Sequence, residues 1–236
     1  PGDFRIRLSS IEATEVTRSL IGVMNEYSHR IVPHLHLCLQ SGSDSVLRRM
    51  RRRWGTRMFL DRCKLLRESL ENPAITTDVI VGFPGETEDE FRQTMQTCRD
   101  AGFSKIHVFP FSARRGTPAA EMPDQIPGDL KSERVQRLTE LEHELRRDYF
   151  SSLVGQSLQV LLESENDLVN FSKPSSASSI ADSTETSANR VYRGTTCRYA
   201  PAQWLAAPGD HSTGDLVTVR ATDSSADHLQ VELVTH

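Results

Sequence analysis

The strongest constraint in this sequence is a repeating order of patterns. Over residues 4–111, short aliphatic or β-branched runs alternate with amphipathic helical stretches. Strands separated by helices are joined by crossovers, so they pair in parallel, and parallel strands need helices to cover them. Phe4–Ser10, His34–Leu39, Ile75–Val81 and Lys105–Phe111 read as the four strands. Thr14 is placed to cap a helix with Val16, Leu20, Val23 and Tyr27 at helical spacing. Ser43 opens a short helix carrying Val46, Leu47 and Met50, and a second follows with Phe59, Cys63, Leu66 and Leu70 on one stripe. Thr87-Glu-Asp-Glu90 is a capping box, with Phe91, Met95 and Cys98 inward and Gly102 just past the helix end. Four βα units are half of an eightfold barrel, so the expected fold is α/β with an open or partial barrel.

A Pro-containing connector, 118–128, leads to an amphipathic helix over Asp129–Leu153 with Val135, Leu138, Leu141, Leu145, Tyr149 and Leu153 on one side. After Gly155 the pattern changes. Ser157–Glu163, Asp215–Ala221 and His228–Val234 alternate like strands, and the Ser-rich stretch 172–188 reads as a flexible insertion. Short strands between turns predict a small all-β barrel. The boundary is expected near residue 152, giving domains 1–152 and 153–236.

Hydrophobic residues make up 37% of the chain and charged residues 25%, enough for a packed core. No apolar run approaches the roughly 20 residues that span a bilayer, and no charged-then-apolar leader is present. No membrane association and a cytoplasmic location are the expectation. The chain begins at Pro1 and enters strand-like sequence at once, which predicts a missing N-terminal portion. The four cysteines, Cys38, Cys63, Cys98 and Cys197, are too far apart in sequence for a CxxC or CxxxCxxC set. No disulfide and no metal ligand is assigned, and Cys63 and Cys98 read as buried thiols.

In parallel α/β sheets, ligands bind at the carboxyl ends of the strands. Here each strand end is polar or glycine-rich: Ser9-Ser10, Gln40-Ser-Gly-Ser43, Gly82-Phe-Pro-Gly-Glu-Thr87 and Ser112–Thr117. Gly82 and Gly85 would let backbone approach a nucleoside closely, or they belong only to a tight turn before a capped helix. Gln40 and Ser41 suit ribose or methionine polar groups, or they merely start a helix. Residues 48–53 read Arg-Arg-Met-Arg-Arg-Arg, followed by Trp54. Such a run is either a solvated face or a phosphate-binding patch with a stacking neighbour, extended by Arg114 and Arg115. His34, His36 and His107 read as strand histidines with local hydrogen bonds rather than as metal ligands. Residues 151–236 hold 5 Lys/Arg against 10 Asp/Glu, so the β region is acidic.

Gln-Ser-Gly-Ser-Asp, Gly-Phe-Pro-Gly-Glu-Thr and Phe-Ser-x-Arg-x-Gly-Thr-Pro-Ala, in this order, resemble the radical S-adenosylmethionine methylthiotransferases that modify tRNA. The likeness spans about residues 4–150. Arg7-Leu-Ser-Ser-Ile-Glu12 and His36-Leu-Cys-Leu-Gln40 are most similar to the MtaB-type branch, and the β region looks like the TRAM domain of that family. The resemblance implies 2-methylthiolation of N6-threonylcarbamoyladenosine in tRNA. It implies S-adenosylmethionine and 4Fe–4S clusters as cofactors, with cluster cysteines upstream of Pro1 and therefore not in this chain. The S-adenosylmethionine contacts it implies are Gln40, Ser41, Gly42, Gly82, Gly85, Glu86 and Ser112. From the basic run, the expected RNA contacts are Arg48, Arg49, Arg51, Arg52 and Arg114, with Arg190, Arg193 and Arg198, near Tyr192 and Tyr199, as a further local patch in the β region. Arg51 and Trp54 stand where the family more often has Asn and Tyr. The alternatives are a non-catalytic RNA-binding protein on the same scaffold, or a methylthiotransferase acting on isopentenyladenosine tRNA or a ribosomal protein.

Overall fold

The computed structural model describes residues 2–167, 190–207 and 209–234. The Ser-rich stretch 172–188 lies outside them. The chain divides into two compact units, residues 1–149 and 150–236.

In the first unit, β1 (Ile6–Ile11), β2 (Ile31–Leu37), β3 (Ala74–Val81) and β4 (Lys105–Pro110) form a parallel sheet in sequence order. Helices α1 (Arg18–Glu26), α2 (Asp44–Arg49), α3 (Thr56–Ser69) and α4 (Glu88–Ala101) lie in the crossovers. Short α5 (Pro118–Glu121) and long α6 (Gly128–Leu153) follow β4. Side chains alternate across a strand. Leu35, Leu37, Leu39, Val79 and Val81 are fully buried, as are Phe59, Leu66, Phe91 and Leu138 of the helices. Their alternates His36, Cys38, Asp78 and His107 are only partly buried, on the opposite face. Thr77 holds the end of β2: its hydroxyl donates to the Leu37 carbonyl at 2.5 Å and accepts from the Leu39 amide at 2.9 Å.

The capping box forms as read. The Glu90 amide donates to the Thr87 hydroxyl, the Thr87 amide donates to the Glu90 carboxylate, and Gly102 ends α4 at φ 57°. The first helix departs from expectation. Thr17, not Thr14, caps α1, and a 3-10 turn, Ala13–Glu15, precedes it. Ile21 and Met24 are its buried residues, while Val23 and Tyr27 are exposed. Leu20-Ile21 and Val23-Met24 are adjacent apolar pairs, so two rotational phases satisfy the same spacing and packing selects one.

In the second unit, β5 (Ser157–Asp167), β6 (Arg190–Thr196), β7 (Pro201–Ala206), β8 (Leu216–Ser224) and β9 (Leu229–Leu233) close into a barrel in the order β5-β6-β7-β9-β8. Closure leaves no unpaired sheet edge. Leu158, Val160, Leu162, Tyr192, Trp204, Val219 and Leu229 fill the interior, with Tyr192 stacked on Trp204 at 5.7 Å. Gly194 is required by the β5–β6 pairing, since a Cβ there would lie 2.1 Å from the Leu161 carbonyl oxygen. Of the arginines expected to form a patch, Arg198 is buried and Arg190 pairs with Glu165 at 3.1 Å. Among the described residues no helix is long and apolar enough to cross a membrane.

Candidate functional site at the strand ends

Each strand of the sheet ends in one of the motifs, so the parallel topology collects them on one rim. Gln40 continues β2 with φ 68°, and its backbone bridges to β3: its amide donates to the Asp78 carbonyl and its carbonyl accepts from the Ile80 amide, both at 2.9 Å. A non-glycine residue held at positive φ is a backbone outlier of the kind that collects at binding sites.

The next residues turn inward. Ser41 is fully buried and hydrogen-bonds Thr94 of α4 at 3.2 Å. The Gly42 amide donates to Thr94 Oγ1, its carbonyl accepts from Thr97 Oγ1, and a Cβ on it would lie 2.6 Å from the Thr94 Cα. Gly42 is therefore a glycine that lets the loop pack directly on α4. Ser43 donates to Gln93 at 2.7 Å.

The Gly82–Thr87 turn is built around a buried ion pair. Glu86 accepts from the Gly82 amide at 2.6 Å and from Arg134 of α6 at 2.7 Å, and Arg134 also donates to the Glu86 carbonyl at 3.0 Å. Both side chains are almost fully buried. Burial pushes the Glu86 carboxyl up, against the opposing pull of the Gly82 amide and Arg134. Gly82 and Gly85 sit at φ 71° and 72°. The space beside Gly82 is taken by Lys131, whose Cγ would stand 2.5 Å from an added Cβ, and whose ammonium donates to the Phe111 carbonyl at 3.1 Å. Gly85 has nothing within 4 Å of its Cβ position, so its requirement is conformational.

The arginine run separates into two kinds. The sequence places Arg49 at the phosphate-binding surface, but its guanidinium is held internally. Its Nη1 and Nη2 donate to the Glu90 carboxylate at 2.9 and 2.8 Å, and Nη2 also donates to the Gly85 carbonyl at 3.2 Å. With help from the Ser45 hydroxyl, this lowers the Glu90 carboxyl to about 2. Arg48 and Arg51 are exposed, Arg51 at φ 57°, and Arg52 lies over Trp54 at 5.5 Å. Ser112, Arg114 and Arg115 are exposed beyond β4.

Between these groups lies a cavity of about 310 Å³, lined by Arg49, Arg51, Arg52, Ile80, Phe83 and Phe111 among others. The volume is that of a small-ligand site, and an apolar wall with cations at its border suits a planar base carrying phosphate. Phe83 and Phe111 meet edge to face at 5.2 Å. Sequence reasoning missed the aromatic wall. Its signal was present: both phenylalanines stand within motifs whose polar residues drew attention first.

No cysteine among the four fits a cluster ligand set. All are free thiols, and burial pushes the Cys63 and Cys98 thiols to about 12, away from the thiolate that metals require.

Residues 2–98 match the model of the Radical SAM superfamily. The chain is 48% identical over 159 residues to the threonylcarbamoyladenosine tRNA methylthiotransferase MtaB of Bacillus subtilis, covering 67% of this chain and 35% of that protein. It is 44% identical over 158 residues to the tRNA-2-methylthio-N(6)-dimethylallyladenosine synthase of Acidothermus cellulolyticus, covering 67% of this chain and 32% of that one. Among solved structures, the radical SAM enzyme coproporphyrinogen III oxidase (HemN) of Escherichia coli superposes with a TM-score of 0.46 at 16% identity, over 57% of this chain and 31% of its own. The chain thus spans about a third of the length of the two curated relatives. Residues 2–98 are thus similar to the radical SAM superfamily, and two thirds of the chain are similar to tRNA methylthiotransferases.

Proposed function

We propose that this chain is part of an enzyme that 2-methylthiolates N6-threonylcarbamoyladenosine in tRNA. The observation that carries the reading is the cavity of about 310 Å³ at the ends of β3 and β4, walled by Ile80, Phe83 and Phe111 and bordered by Arg51 and Arg52. The higher identity to the MtaB protein, 48% against 44%, favours threonylcarbamoyladenosine over dimethylallyladenosine.

S-adenosylmethionine suits this rim. Phe83, Phe111 and Ile80 offer an apolar wall to a base, and exposed Ser112 beyond β4 offers a polar contact. Ser41, Gly42, Gly85 and Glu86 act from behind, by fixing the loops that present those groups. When bound, the cofactor supplies radical chemistry and a methyl group. The cluster that such chemistry uses finds no ligands among the cysteines here, so no step is assigned to it. Arg48, Arg51, Arg52 and Arg114 would meet tRNA phosphates; Arg49 would hold the loop they stand on.

The test is nucleoside mass spectrometry of tRNA from a strain that lacks its own methylthiotransferases and expresses the intact parent protein. Accumulation of 2-methylthio-N6-threonylcarbamoyladenosine is expected. Accumulation of the dimethylallyl product instead would overturn the substrate assignment. Binding of tRNA with no modified product would overturn the enzyme reading.

A further inference from the structure

The sheet face opposite the helices carries a side-chain cluster that the rim does not use. His36, Asp78 and His107 stand on β2, β3 and β4, three adjacent strands. Asp78 and His107 are register partners, and His36 pairs with Thr76, two residues before Asp78 on the same face. Their ligand atoms all lie within 4.8 Å of one another.

We propose that His36, Asp78 and His107 bind a divalent transition-metal ion, with Zn²⁺ the best fit. Two imidazoles and a carboxylate are a common ligand set for such ions, and three protein ligands leave one position open. His36 Nε2 is 3.4 Å from Asp78 Oδ2. Ligands at about 2.0–2.1 Å from a tetrahedral zinc are separated by about 3.4 Å, so this pair stands at a coordination edge. The His107 ring, 5.9 Å from the His36 ring between centroids, closes the set by a small rotation.

The backing of His36 supports the assignment. His36 Nδ1 is 3.1 Å from the Thr76 hydroxyl, which is also 3.1 Å from Nε2 of buried His34. A hydroxyl has one proton. When Thr76 donates to His34, it accepts from His36 Nδ1–H, and the His36 Nε2 lone pair then faces the Asp78 carboxylate. Two electron-rich atoms at that distance need a cation between them. A partner on the far nitrogen is also how metal-binding histidines are oriented. The opposite proton arrangement would make His36 a simple donor to Asp78, and the experiment separates the two.

The surroundings permit a cation. Lys105, the nearest ammonium on β4, is engaged by Glu142 at 3.1 Å. All three residues are partly exposed, so an ion has a path in. Ile80, two residues beyond Asp78 on the same strand face, lines the cavity. That is roughly 7 Å along a strand. The open coordination position therefore lies beneath the cavity and would accept an oxygen or nitrogen donor from its occupant.

The probe is Co²⁺, titrated into this 236-residue chain at neutral pH and followed by its visible absorption. The expected result is one equivalent bound with four-coordinate bands and displaced by Zn²⁺. Asp78→Asn and His107→Gln should each weaken it at least tenfold, with far-UV circular dichroism unchanged. His143→Gln, an exposed histidine on α6, should leave binding as it was. Absence of a bound equivalent, equal binding in both site variants, or a thiolate charge-transfer band from Cys38 would each overturn the proposal. None of these outcomes depends on the methylthiotransferase reading.

Discussion

The two faces of β2 and β3 share one backbone and differ in every other respect. On one face Leu35, Leu37, Ile75 and Val79 are sealed against helices. On the other, His36, Asp78 and Ile80 are partly open, and the strand ends above them carry the cavity. A period of two residues divides folding from chemistry along the same strand. The rim repeats the division on a smaller scale. Ser112 and Arg51 stand at the open side, whereas Ser41, Gly42, Arg49 and Glu86 are spent on holding the loops.

The largest effect should come from breaking that division where a motif residue is most deeply buried. Arg134→Ala leaves Glu86 charged and uncompensated, and should cost about 3–5 kcal/mol. Urea unfolding in a Trp204→Phe background, where Trp54 reports on the α/β unit alone, measures it. Pairing Arg134→Met with Glu86→Gln should recover much of the loss; no recovery would mean that the ion pair is not the source.

Next comes the sealed face itself. Leu37→Ala should cost about 3 kcal/mol through reduced burial and a residual cavity. Its neighbour on the open face, His36→Ala, should cost less than about 1 kcal/mol. Similar costs for the two would erase the distinction between the faces.

A smaller effect concerns Arg49 and Glu90. The Glu90 carboxyl is held down to about 2, so its contribution to stability is fully present above its ordinary value near 4.5 and is lost as pH falls from there toward 2. Because the pair is partly exposed, Arg49→Ala should cost about 1–2 kcal/mol at pH 7. The difference from the parent chain should shrink as pH drops below about 4. A gap independent of pH would show that Arg49 acts by packing alone.

The smallest effect is on RNA. Replacing Arg51, Arg52 and Arg114 with Ser in the intact parent should reduce the salt slope of tRNA binding by up to about 0.7–0.9 for each phosphate that is no longer neutralised. Arg49→Ser should leave that slope unchanged. Filter binding across a salt series separates the two kinds of arginine, and an equal drop for Arg49 would place it at the open side after all.

Much of this was legible in the residues themselves. The β-branched run Ile75–Val81, the capping box at Thr87–Glu90 and the 3.6-residue stripe of Phe59, Cys63 and Leu66 encode local structure, because each acts through neighbours close in sequence. Alternation with helices then dictated parallel pairing and a shared rim. The strands β6 and β7 carried no clear pattern, since Tyr192, Gly194 and Trp204 make sense only once the barrel closes around them. The phase of α1 was open for the same reason: two apolar stripes were available, and only the packed sheet distinguishes Ile21 from Val23. The roles of polar rim residues were the least legible. Ser41, Gly42, Arg49 and Glu86 have the composition of ligand contacts, yet their partners are Thr94, Glu90, Gly82 and Arg134, up to 53 positions away. A hydrogen bond is satisfied by whatever the fold brings within about 3 Å, and for these groups distance in space, not order in sequence, made the choice.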